Sequence, residues 1–368
     1  MVQDAISPTA SRWIGRWLIV VAIMVYAMIL IGGATRLTDS GLSITEWQPI
    51  SGALPPLSQE AWLVELEKYR ATTEYQQQNY NMTMSEFQFI YWWEWGHRLF
   101  GRLIGLVAVG GFVWFAAKRW LNRKWTGRLL FLIALGGLQG FIGWWMVASG
   151  IGETTRVDVA PYRLMTHFGL ALFIIAVTAW YWCDLKDKRV ERVGQGTRIL
   201  ATALMVLIFA QMLTGALVAG LDAGRTYTDW PLMLGEFVPS DYVEPNLGAL
   251  SLFEGRAATQ FNHRFLAYII WGLSLWSAWS QRKTELARGF YAIAVLVTAQ
   301  AVWGIMTLLN AAPLELALVH QGLGVIVMLV SVRVAWQVTP ARARRGVQTQ
   351  TASARSDQPE PHGARSLI

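Results

Sequence analysis

The sequence predicts an all-α membrane protein in which eight transmembrane helices form two tandem four-helix bundles. Hydrophobic residues make up 54% of the 368 positions, charged residues make up only 15%, and 20 residues are tryptophan. This composition is far from that of water-soluble proteins. Long apolar segments recur along the chain, and the second half resembles the first. Together these observations indicate a duplicated helical bundle embedded in lipid.

Eight apolar segments have roughly the 20 residues that a helix needs to cross a bilayer. They cover residues 13–33, 90–117, 127–148, 163–183, 198–220, 260–280, 289–309 and 315–337. The first segment lacks the short core and cleavage site of a signal peptide, so we interpret it as a retained anchor. Basic residues concentrate in alternate loops, which predicts that both termini are cytoplasmic. The net charge of +7 follows from this topology, and no nucleic-acid binding is expected.

Internal similarity divides the chain into two halves. His97-Arg98 aligns with His263-Arg264, QGFIGWWM at 139–146 aligns with QAVWGIMT at 300–307, and LMTHFGLAL at 164–172 aligns with LALVHQGLGV at 316–325. Four spans return the chain to its starting side, so both halves have the same orientation. We therefore expect a pseudo-two-fold axis along the membrane normal.

This division predicts five regions of the chain. They are a cytoplasmic N-terminus (1–12), an N-terminal bundle (13–185), a cytoplasmic linker (186–197), a C-terminal bundle (198–337) and a disordered cytoplasmic tail (338–368). The first outer loop should contain a short helix at SQEAWLVELEKY and a capping box at Thr83-x-x-Glu86. The single cysteine, Cys183, is expected to be a small buried side chain.

Apart from His362 in the tail, every histidine falls early in an even-numbered span. These residues are His97, His167, His263 and His320. One intramembrane histidine is often only hydrogen-bonded to a neighbouring helix. Four at matching positions indicate two ligand pairs, which suit axial ligation of haem iron better than a tetrahedral zinc site. Nearby glycines should leave room for a flat ligand, with close helix packing as the alternative: Gly96, Gly101, Gly105, Gly169, Gly322 and Gly324.

Charged residues near these histidines suggest further roles. Arg98, Arg102 and Arg264 are candidates for pairing with haem propionates, and snorkelling to lipid headgroups is the alternative. Glu94 shares a helix face with His97, whereas the equivalent position before His263 is Gln260. This asymmetry predicts a reactive site in the N-terminal half, with Glu94 as its catalytic carboxylate. The alternative is that Glu94 orients His97 or pairs with an arginine.

These motifs resemble the haem A synthase family, in its proteobacterial and mitochondrial branch. The resemblance extends over all eight predicted spans. It is carried by GGATRLTDSGLSITEWQPISGALPP (32–56), Glu94-x-x-His97-Arg98, Thr166-His167, the FNHR of 261–264 and Val319-His320-Gln321. Some members carry a cysteine pair in the first outer loop. This chain has none there, so the resemblance does not support a thiol-based step.

The resemblance implies an oxidoreductase that converts haem O to haem A for a terminal cytochrome oxidase. Successive hydroxylations of one porphyrin methyl group would give a geminal diol that loses water to form the formyl group. By this resemblance the substrate haem binds at His97 and His167 beside Glu94, and a haem b cofactor binds at His263 and His320. The expected location is the bacterial inner membrane. Further partners compatible with the resemblance are a haem O synthase, an electron-transfer protein and a second copy of the chain.

Two other functions are compatible with paired histidines. One is a diheme b-type cytochrome for electron transfer, and the other is a non-enzymatic haem carrier or assembly factor. Neither gives Glu94 a specific task. The synthase raises one chemical question, because two tightly held histidines leave no open iron position for oxygen activation. Either one ligand of the N-terminal site is labile or oxidation proceeds by electron removal and attack of water.

Overall fold

A computed structural model describes residues 6–152, 154–186 and 189–340, and none of these residues forms a β-strand. Eleven α-helices occur in this part of the chain. In chain order they are α1 (Pro8–Leu37), α2 (Gln59–Arg70), α3 (Thr73–Gln77), α4 (Met84–Ala117), α5 (Arg123–Val147), α6 (Pro161–Lys186), α7 (Gln195–Gly220), α8 (Ser251–Glu254), α9 (Arg256–Ser280), α10 (Ala287–Leu309) and α11 (Leu314–Gln337). The all-α prediction is therefore confirmed.

Seven of the described helices are long and apolar enough to cross a membrane: α1, α4, α5, α6, α7, α10 and α11. Each coincides with a predicted span. Helix α9 coincides with the remaining predicted span and has 25 residues, but it does not reach the same apolarity. Its first turns contain Arg256, Gln260, His263 and Arg264, and its later turns alternate apolar residues with serine and tryptophan.

The first outer loop contains the local structure that its sequence predicts. Helix α2 begins where Ser58 accepts a hydrogen bond from the backbone N–H of Ala61 at 3.2 Å. Helix α4 begins with the predicted capping box, in which the Thr83 hydroxyl accepts from the Glu86 N–H and the Glu86 carboxylate accepts from the Thr83 N–H. These side chains satisfy backbone donors that the first helical turn leaves unpaired.

The long helices pack in two groups. In the first group α1 and α5 each contact both α4 and α6, and in the second group α9 contacts α7 and α10 while α11 contacts α7 and α10. The groups meet where α6 packs on α7 and α11, and where α1 packs on α11. The limits predicted for the bundles, linker and termini remain predictions, and residues 341–368 of the predicted disordered tail lie outside the described residues.

Polar contacts join the two groups at both ends of the helices. At one end, Arg36 in the last turn of α1 donates to Asp222 at 2.8 Å. At the other end, Asp184 of α6 accepts hydrogen bonds from Arg128, Arg189 and the indole of Trp336. Cys183 is buried beside this cluster, as predicted. These contacts fix the relative position of α1, α6 and α11, which carry or face the candidate site.

Candidate functional site

The four intramembrane histidines occupy equivalent positions in the structure. Each is partly buried in the first half of its helix and faces a glycine on the preceding long helix. The pairs are His97 with Gly32, His167 with Gly143, His263 with Gly215 and His320 with Gly304. A Cβ atom at these glycines would lie 2.7–3.2 Å from the nearest ring atom. Any larger residue would therefore displace the imidazole.

The histidines of each helix group lie near each other. His97 and His167 lie within electrostatic range of each other, and so do His263 and His320. The first pair belongs to α4 and α6, and the second belongs to α9 and α11. Each helix group thus contains one pair of imidazoles.

Three of the histidines are held by a glutamine that the sequence analysis did not assign to the site. Gln139 faces His167, Gln211 faces His263, and Gln300 faces His320. The three amides donate to the histidine backbone carbonyls at 3.0, 2.9 and 2.9 Å. Each amide nitrogen is also nearly equidistant from the two ring nitrogens of its histidine, at 3.1–3.2 Å from Nδ1 and 3.2–3.4 Å from Nε2. The spacing Gln-x-x-x-Gly was the available signal, because it places the amide and the glycine on one helix face.

The chemistry of these positions fits an iron porphyrin. The Oε1 atoms of Gln139, Gln211 and Gln300 are buried and have no hydrogen-bond partner. Polar side chains that lie against an imidazole orient it for metal binding. The described residues contain no group of three or more His, Cys, Asp or Glu side chains able to hold a metal ion. Two pairs of imidazoles, each ring packed against a glycine, are instead typical of axial haem ligation.

Glu94 lies in a buried position, where it connects α4 to the first outer loop. Only 3% of its surface is exposed. One carboxylate oxygen accepts hydrogen bonds from the Ser43 hydroxyl and the Ile44 N–H, both at 2.8 Å. The other oxygen accepts from Arg98 at 2.6 Å. The carboxylate is therefore fixed by three donors, one of them charged.

Gln260 makes the corresponding contacts, but it donates hydrogen bonds to the loop where Glu94 accepts them. Its amide donates to the backbone carbonyls of Ala223 and Tyr227 at 2.9 and 3.0 Å, and its Oε1 accepts from Arg264 at 3.2 Å. Both residues anchor an outer loop to the helix that carries a histidine. The chemical difference is that Glu94 accepts from loop donors and brings a negative charge, whereas Gln260 is neutral.

The three candidate arginines are largely engaged with the outer loops. Arg98 donates to the carbonyls of Ile44 and Glu46, and Arg102 donates to the carbonyls of Gln48 and Pro49. The remaining candidate, Arg264, follows the same pattern. It donates to the carbonyls of Tyr227, Asp229 and Leu232.

Two of these guanidinium groups keep an unused donor. The Nη1 of Arg102 and the Nε of Arg264 are buried without a hydrogen-bond partner. Arg98 donates from Nη2 to Glu94 as well as to the first outer loop. Pairing with propionates remains a prediction for all three, and Arg102 and Arg264 have the spare donors for it.

The two halves differ in the space next to these arginines. A cavity of about 400 Å³ lies between the first outer loop, α2 and α4, and its lining includes Tyr91, Arg98 and Arg102. The cavity beside Arg264 measures only about 10 Å³. Aromatic side chains fill the second half at this position, and they are Phe237, Phe261, Phe265 and Tyr268.

Three of the six glycines that we expected beside the histidines pack against other residues. Gly101 faces Met28, Gly169 faces Leu213, and Gly322 faces Tyr26. Gly324 is the exception, because it faces the Gln300 amide that holds His320. Gly96 and Gly105 face open space. Helix packing, the alternative considered for these residues, is therefore correct for Gly101, Gly169 and Gly322.

Comparisons with known proteins agree with the motifs. Residues 15–332 match the family model COX15-CtaA, described as cytochrome oxidase assembly protein. Proteins named Heme A synthase are similar over most of their length. The protein of Hyphomonas neptunium is 66% identical over 92% of this chain and 96% of its own, that of Dinoroseobacter shibae is 51% identical over 87% and 86%, and that of Maricaulis maris is 46% identical over 93% and 99%. The chain therefore belongs to the COX15-CtaA family of cytochrome oxidase assembly proteins.

Proposed function

We propose that this protein is a haem A synthase, an oxidoreductase that converts one methyl group of haem O to a formyl group. The observation that carries the proposal is the set of two imidazole pairs packed against glycines; among the described residues, only the N-terminal pair has a buried carboxylate, Glu94, one turn from a histidine on the same helix. The names of the similar proteins support the reaction class. Two hydroxylations of the methyl group, which together remove four electrons and need an external oxidant, give a geminal diol that loses water to form the formyl group.

The two helix groups are assigned different tasks. The N-terminal group binds haem O between His97 and His167, and the C-terminal group holds a haem b between His263 and His320. The contacts among the long helices support two four-helix bundles of eight spans, with α9 as the eighth and with a pseudo-two-fold axis along the membrane normal. A haem b at the second pair would supply one-electron transfer to and from the substrate site.

Glu94 provides the negative charge of the substrate site. Its three hydrogen bonds fix the carboxylate in a buried position, where a charge acts more strongly than in water. There it stabilises positive charge that develops on the porphyrin edge or accepts a proton from it. The unpartnered Nη1 of Arg102 offers a donor for a propionate, and a cavity lies beside this arginine.

We also propose that the protein lies in the bacterial inner membrane with both termini in the cytoplasm. The basic residues of the alternate loops support this orientation. Haem O reaches the site from the lipid bilayer. A haem O synthase and an electron-transfer protein are proposed as further partners.

Pigment extraction from cells that make haem O but lack their own synthase tests the function. Cells that express this protein should accumulate a formyl-bearing haem. Glu94→Gln should reduce its yield strongly while haem binding persists, because a neutral amide replaces the charge. The matched control is Gln260→Glu, which should not raise the yield. Absence of formyl haem with the unchanged protein would contradict the proposed function. An unchanged yield with Glu94→Gln would contradict the role of Glu94.

A further inference from the structure

Three of the four candidate ligands share a restraint that the fourth lacks. The residue four positions before the facing glycine is glutamine for His167, His263 and His320. On α1 the same position, four before Gly32, is Met28. The segments QGFIG, QMLTG and QAVWG thus correspond to MILIG. A thioether cannot donate a hydrogen bond and is only a weak acceptor.

The hydrogen bonds follow this difference. Gln139, Gln211 and Gln300 each hold the backbone carbonyl of a histidine and lie beside its Nδ1. Among the described residues, no side chain makes a hydrogen bond to the ring or the carbonyl of His97. The methyl group of Met28 instead lies 3.2 Å from the Cβ position of Gly101, on the face that carries His97 one turn earlier.

The His97 ring is also turned over relative to the other three. At Gly143, Gly215 and Gly304 the nearest imidazole atoms are Cε1 and Nδ1. At Gly32 they are Nε2 and Cδ2. A half-turn of an imidazole exchanges these pairs of atoms. Cδ2 of His97 therefore lies where the other three histidines place Nδ1, and its Nε2 lies where they place Cε1.

We propose that Gln139, Gln211 and Gln300 are positioning residues that fix three histidines as permanent iron ligands, and that Met28 leaves His97 as the exchangeable ligand. This inference rests on the proposed function. The amide nitrogen of each glutamine lies 3.1–3.4 Å from both ring nitrogens of its histidine, and Thr214 Oγ1 lies 2.9 Å from the Nδ1 of His263. Such partners fix the orientation of a ligating imidazole. His97 has no such partner, so its bond to iron is the weakest of the four.

An exchangeable His97 resolves the coordination problem of the substrate site. Release of this imidazole opens one position on the iron of haem O, while His167 retains the haem through Gln139. Both ligands of the C-terminal haem keep their glutamines. That haem therefore stays six-coordinate, as suits electron transfer, and the two halves differ at the iron itself as well as at Glu94.

Binding of cyanide to the oxidised, haem-loaded protein tests this assignment by absorption spectroscopy. In the unchanged protein, one haem should bind cyanide and the other should not. Met28→Gln should slow cyanide binding about tenfold or more, in line with the effect of partners that support metal ligands. Met28→Leu is the matched control and should bind cyanide at the original rate. Equal cyanide binding in Met28→Gln and the unchanged protein would overturn the inference.

The reciprocal variant keeps the test decisive if Met28→Gln does not fold. Gln211→Met should make the second haem accessible to cyanide while haem content is retained. A second haem that stays inert to cyanide in Gln211→Met would also overturn the inference. Failure of the proposed function would give a different outcome. In that case the purified protein would bind no haem at either histidine pair, so His97 would have no iron from which to dissociate.

Discussion

Gly33 of α1 lies against Gln321 of α11 so closely that a Cβ on the glycine would stand 1.9 Å from the glutamine Oε1. The amide of Gln321 donates to the carbonyl of Ile29 at 3.0 Å. Gly33 follows Gly32, which faces His97, and Gln321 follows His320. The contact between the two halves is therefore only one residue away from a candidate ligand on each side.

Gly33→Ala should destabilise the protein because the added methyl group must displace Gln321. Moving Gln321 breaks its hydrogen bond to Ile29, which costs about 0.5–1.5 kcal/mol. Thermal unfolding of the detergent-solubilised protein would show this loss as a lower midpoint. Gly110→Ala on α4 is the matched control, because nothing lies within 4 Å of its Cβ position. A midpoint for Gly33→Ala equal to that of Gly110→Ala would show that α1 and α11 are not in close contact.

Gly304→Ala should impair haem binding in the C-terminal half. The new Cβ would lie 2.7 Å from Cε1 of His320, so the imidazole must rotate away from its position. The ratio of haem to protein in the purified variant measures the effect. Gly272→Ala on α9, with open space at its Cβ, should keep the original ratio. Full haem retention with an unchanged spectrum in Gly304→Ala would contradict the role of the glycine surface.

Glu74 should make the first outer loop less stable as the pH rises. Burial raises the pKa of Glu74 from its ordinary 4.5 to about 8, although the hydrogen bond from Tyr69 acts in the opposite direction. Between these pH values the folded loop binds a proton that the unfolded loop has lost. Its stability is therefore highest below about pH 4.5 and decreases until the pH exceeds about 8.

Limited proteolysis of the first outer loop at pH 6 and pH 9 measures this effect. The unchanged protein should be cleaved faster at pH 9, and Glu74→Gln should remove much of the difference. Glu67→Gln is a control on the exposed side of α2, and it should keep the original pH dependence. A loop whose cleavage rate is the same at both pH values would show that Glu74 does not control its folding.

The helices were predictable because lipid requires long apolar segments and because few residues start a helix well. The predicted spans agree with the helix ends within a few residues, and the Thr83 capping box was identified from the sequence alone. Helix α9 shows the limit of apolarity as a signal. Its polar first turns are occupied by His263, Gln260 and Arg264, which serve the site.

The sequence identified the candidate ligands, but it did not identify the side chains that contact them. The duplication identified the four histidines, since equivalent positions recur in both halves. The glutamines that hold three of them lie on other helices, and only three-dimensional packing brings Gln139 to His167. The pairing of Glu94 with an arginine was one of the alternatives, and Arg98 supplies it. Its contacts with Ser43 and Ile44 were not foreseeable, because these residues come from a loop whose path the sequence does not determine.

The haem content of His263→Ala, measured with and without added imidazole, tests the central claim most directly. The claim is that paired histidines on α9 and α11 hold a resident haem. The account predicts that the purified variant loses this haem, and that free imidazole, which can occupy the space left beside Gly215, restores it together with the original absorption spectrum. Full haem content and an unchanged spectrum in His263→Ala without imidazole would contradict the account.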